Sequence, residues 1–103
     1  MEANPDFYLS CNGVESDCRL VGRTVALGRD DLLVARVAPA IHAPIGDAEL
    51  DEVILAPRQP GASLLPLPSS PTPVYVCQLQ RSASGATQLA VVAWGELRQR
   101  PET

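Results

Sequence analysis

The chain has 103 residues, with eight arginines, no lysine, one histidine and twelve acidic side chains, for a formal net charge of −4. That length allows one domain with a modest core, and 46% apolar against 19% charged residues suits a folded chain rather than a disordered tail. The lack of lysine excludes Schiff-base chemistry and the phosphate-holding lysine of nucleotide loops, and a pI near 4.7 argues against nucleic-acid binding, which calls for a basic face.

No apolar run approaches the eighteen residues of a membrane-spanning helix, so no membrane partner is expected. The start, Met1-Glu2-Ala3-Asn4-Pro5-Asp6, lacks the basic and apolar regions of a secretory signal. With an odd set of cysteines (Cys11, Cys18 and Cys77) this reads as a reduced, cytoplasmic protein.

Phe7–Cys11 alternates and stops at Asn12-Gly13, a pair that tolerates positive φ and makes a two-residue hairpin loop. The implied register sets Cys11 opposite Val14, Leu9 opposite Ser16 and Phe7 opposite Cys18. Cys11 and Cys18 then share a face about 13 Å apart, too far for a disulfide. The run from Cys18 to Leu27 is a second strand by its β-branched content. Gly28-Arg29-Asp30-Asp31 reads as a turn, and Leu32–Val37 as the return strand ended by Pro39.

Ala38–Leu50 has no clear period, and Asp47 is suited to cap a single helical turn. Glu52–Ala56 reads as a buried strand. Six prolines between positions 57 and 73 exclude a helix there and define a long loop. Val74–Gln80 is a strand, Ser82–Gly85 a turn, and Thr87–Leu97 a last strand that is apolar on both faces. Residues 98–103 are a polar tail expected to fray. The expectation is a single all-β domain: a small, partly closed barrel of about six short strands, with a Pro-rich loop at 57–73 and little or no helix.

No motif in the chain names an activity, and no catalytic, cofactor or metal site is assigned. No serine sits in a strained nucleophile elbow. His42 is the one imidazole base available, in a proline-bounded loop. A Cys₃His zinc site with His42 is formally possible but has the wrong cysteine spacing. Asp30-Asp31 and the Glu49/Asp51/Glu52 group read as solvated acids without ligand spacing.

Two groups of residues are candidate contact sites. If Leu27 pairs with Leu32, Arg23 meets Arg36 and Arg19 lies on the same face. Like charges directly opposite repel, so an acid, a partner or an anion belongs nearby. Leu64, Leu65 and Leu67 crowd within the Pro-rich loop and need cover, either as a lid over the barrel end or as a subunit contact. Trp94 belongs with them. If Leu89, Val91, Ala93 and Leu97 fill the interior, Trp94 lies outside, beneath that loop or a second subunit. The functional expectation is a non-enzymatic binding or assembly module, self-associating or joined to a protein partner. The alternative is a small-molecule-binding barrel, or a small enzyme, with the 57–73 loop as lid.

Overall fold

The computed structural model describes residues 7–26, 28–59, 64 and 71–99, with backbone alone at 24–26, 29 and 30. Six strands follow in chain order: β1 (Phe7–Cys11), β2 (Val14–Ala26), β3 (Arg29–Ala43), β4 (Ala48–Pro57), β5 (Thr72–Arg81) and β6 (Thr87–Gln99). Each pairs antiparallel with the next, and β1 pairs with β6 to close the ring into an all-β barrel. Closure leaves no continuous open edge, which is how a small antiparallel sheet avoids edge-to-edge pairing. No helix among the described residues is long and apolar enough to cross a membrane.

The first hairpin has the register its sequence implies: Phe7 opposite Cys18, Leu9 opposite Ser16, Cys11 opposite Val14. Asn12 and Gly13 take φ of 55° and 80°, which few other residue pairs accept. Phe7, Leu9, Cys11, Ser16 and Cys18 all point inward. Ser16 is the one buried polar side chain among the described residues, and its hydroxyl donates to the Pro39 carbonyl at 2.8 Å. None of the three cysteines is disulfide-bonded, and all are buried.

The second hairpin departs from the expected register. Ala26 pairs with Arg29, so only two positions separate the strands, with Gly28 at φ 77°. Asp30 and Asp31 therefore belong to β3 rather than to a turn. An extra residue, Val21, is bulged between the Leu20–Ala35 and Gly22–Val34 pairs. The combined shift places Arg19, not Arg23, opposite Arg36; Arg23 pairs with Leu33.

Pro39 does not end β3. Between the Arg36–Glu52 and Ile41–Leu50 pairs, four residues of β3 oppose one of β4. A proline is tolerated there because the bulge asks it for no ladder donor. Past the bulge, β3 and β4 form an arm that turns at residues 44–47, where Gly46 and Asp47 take positive φ. The helical turn expected at Asp47 is therefore a hairpin loop. The bulge bends this arm across the barrel end: Ile41, Ala43 and Leu50 are buried in the main core, and the Ile45 N–H donates to the Val92 carbonyl at 3.4 Å.

β5 and β6 pair from Thr72–Leu97 to Arg81–Thr87, with Val92 bulged between the Val76–Ala93 and Cys77–Val91 pairs. The bulge reverses the two faces of β6 part-way along. Ala93 and Leu97 point inward as expected, but Val92 is also buried, while Val91 faces out and Leu89 packs against the outer cluster. β6 runs on through Gln99, where the sequence suggested a frayed tail. Arg98 sits opposite Tyr8 and holds Glu96 through Nε and Nη2, at 2.9 and 2.7 Å. Several strands are longer than the short strands expected, because the bulges let them bend around the barrel without breaking.

Candidate functional site

The interior is filled. Leu9, Leu33, Val53, Leu55, Val74, Val76 and Leu97 form one packed cluster, and Leu64 of the Pro-rich segment belongs to it at 1% exposure. Leu64 thus contributes to the main core. Leu65 and Leu67 lie outside the described residues. A ligand of this barrel therefore has to use its outer surface, not a central cavity of the kind larger barrels enclose.

The outer surface carries two features. The first is the sheet face formed by β4, β5 and β6. Ala56, Tyr75 and Trp94 lie in one cross-strand row. Ile54, Cys77 and Val91 lie in the next, and Leu79 with Leu89 in the third. Ala56 and Cys77 are buried with Leu32, and Ile54, Tyr75 and Leu89 pack against them half-buried. Trp94, Leu79 and Val91 remain open, with 48%, 47% and 38% of their surface exposed. Trp94 faces outward as the sequence suggested, although Leu89 and Val91 share its side rather than the interior. The Arg58 guanidinium lies over the Tyr75 ring, 5.4 Å from its centre, so one aromatic face is taken by a cation while Trp94 stays open.

The second feature is a shallow cleft of about 460 Å³ at the β3 bulge, lined by Asp17, Arg19, Arg36, Val37, Ala38 and Asp51. Arg19 and Arg36 are directly opposite on β2 and β3, both exposed. Arg23 is exposed too, but it lies beyond the Val21 bulge and does not line this cleft. The sequence grouped these arginines but set Arg23 opposite Arg36, and the bulge that hollows the surface beside Arg19 was not visible in it.

His42 lies on the arm, exposed, with Nδ1 3.0 Å from Glu49 Oε2 and Nε2 3.2 Å from Asp47 Oδ1. It borders a small cleft of about 190 Å³ together with Cys11. The two do not make an activated thiol: both imidazole nitrogens face carboxylates, and Cys11 Sγ donates to the Trp94 carbonyl at 3.3 Å. Burial pushes the Cys11 thiol up, the opposite of what a nucleophile requires. Cys18 is pushed further by burial, to about 11. Among the described residues, no three of His, Cys, Asp and Glu converge as metal ligands.

Compared with known proteins, the chain matches no family model, no curated protein and no solved structure.

Proposed function

We propose that this protein is a non-enzymatic binding and assembly module that self-associates through the outer face of β5 and β6. The observation that carries this reading is the stepwise exposure of Leu79, Val91 and Trp94 on three successive rows of one strand pair. Single exposed apolar side chains are ordinary on a soluble surface. Three large ones in register, continuous with the half-buried Ile54, Tyr75 and Leu89, form a patch of the kind that marks contact sites. Tryptophan and tyrosine are also the residue types enriched at the centre of such contacts.

A second copy of the chain is the simplest partner, because a two-fold contact uses one patch twice. Light scattering after size exclusion tests the reading. A mass near twice 10.9 kDa at micromolar concentration supports it. A monomer mass that does not change up to several hundred micromolar counts decisively against self-association.

A further inference from the structure

We infer that the cleft at the β3 bulge is a binding site for a small zwitterion, with an acidic group held by Arg19 and Arg36 and an ammonium group held by Asp51. The inference is independent of self-association through β5 and β6. Three observations carry it.

The first is the arginine pair. The register sets two guanidiniums directly opposite each other on adjacent strands, an arrangement that repels unless a negative group lies between. Among the described residues neither guanidinium has a hydrogen-bond or ion-pair partner. Glu52 is the next residue across from Arg36, yet it makes no ion pair with it. Two arginine forks side by side match the oxygens of a carboxylate or phosphate.

The second observation is the division of charge. Asp17 stands two residues before Arg19 on β2, opposite Ala38, and Asp51 stands beside Glu52 where β4 meets the bulge. The cleft therefore has a cationic half, the Arg19–Arg36 row, and an anionic half at Asp17 and Asp51. Asp17 is engaged in an interaction of its own, which leaves Asp51 as the carboxylate for an incoming ammonium. A plain anion would be attracted by one half and repelled by the other; a molecule carrying both charges satisfies both.

The third is spacing. Asp51 stands one residue from Glu52, the pair partner of Arg36, and one strand spacing with one residue rise spans about 6 Å, so the ligand's opposite charges should be about 5–7 Å apart. That favours an ω-amino acid over an α-amino acid, whose charges are closer together.

Titration of ¹⁵N-labelled protein at low ionic strength, followed by amide chemical shifts, tests the site. The probes are 5-aminopentanoate, pentanoate, pentylamine, glycine and inorganic phosphate. The expected result is saturable shifts around residues 17–19, 36–38 and 51 with 5-aminopentanoate, at least tenfold tighter than with any other probe. Arg36→Gln and Arg19→Gln should each weaken that binding tenfold or more while distant amides stay in place. Asp51→Asn should bind pentanoate as well as it binds 5-aminopentanoate. The inference is overturned if no probe gives saturable shifts there, or if phosphate or pentanoate matches the zwitterion on the unmodified protein. It is equally overturned if both arginine variants bind like the parent.

Discussion

Replacing Gly95 by alanine probes the place where the barrel closes. Gly95 lies on β6 opposite Val74, and its open side faces β1. A Cβ built there collides with the Ser10 carbonyl oxygen and also meets Ser10 C at 3.2 Å and Cys11 Cα at 3.3 Å. These neighbours are backbone atoms, which cannot swing aside as a side-chain end can. Gly95 has no positive φ, so alanine suits its conformation and the effect is one of contact alone. To admit the methyl, β1 must move off β6, which strains the Ser10–Glu96 pair and the bond from Cys11 Sγ to the Trp94 carbonyl. Overpacking of this kind costs about 1–3 kcal/mol, and a weakened hydrogen bond adds about 1 kcal/mol. Gly95→Ala should therefore lose about 2–4 kcal/mol, a large part of a small domain's stability. Urea denaturation followed by Trp94 fluorescence measures it. Gly22→Ala is the control: a Cβ there meets nothing within 4 Å, so it should change stability by no more than about 1 kcal/mol. A loss below about 0.5 kcal/mol at Gly95 would refute the close approach of β1 and β6.

Other consequences follow from the buried polar groups and thiols. Ser16→Ala removes the hydrogen bond to the Pro39 carbonyl and should cost about 0.5–1.5 kcal/mol by the same denaturation assay. The Cys18 thiol is raised in the folded state from an ordinary value of 9.0 to about 11. Its contribution is fully present below pH 9 and is lost as pH rises through 11, by up to about 3 kcal/mol. Stability measured from pH 8 to 11 should fall more steeply in the parent than in Cys18→Ala; equal slopes would contradict the assignment. Alkylation without reductant should add three labels to denatured protein and react only slowly with the native state, since all three thiols are buried. Two missing labels at Cys11 and Cys18 would contradict the first hairpin's register.

The sequence made the strands legible where local chemistry decides the outcome. Asn12-Gly13 sets its own hairpin, so the pairing from Phe7–Cys18 to Cys11–Val14 was readable. β-branched residues marked the body of β2 through β6. The bulges were not readable, because a bulge answers to closure of the whole ring, not to the residues on either side of it. The tighter turn before Arg29 displaced the arginine pairing, residues 37–40 carried β3 through a proline, and Val92 exchanged the faces of β6. The same limit applies to the candidate surfaces. An outward Trp94 was legible from alternation beyond the bulge, and an arginine pair was legible in kind. Leu79 and Val91 joined the Trp94 face only once the register was known.

The most direct measurement is sedimentation equilibrium of the parent beside Trp94→Ala and Leu79→Ser, each paired with urea denaturation. Trp94 is about half exposed, so removing it should cost the fold only about 2 kcal/mol, below the full cost of a buried tryptophan. Leu79, on the projecting part of the β5–β6 hairpin, should cost still less. Self-association through this face predicts a dimer for the parent and monomers for both variants, with both variants still folded. A monomeric parent, or variants that dimerise as tightly as the parent, would contradict it.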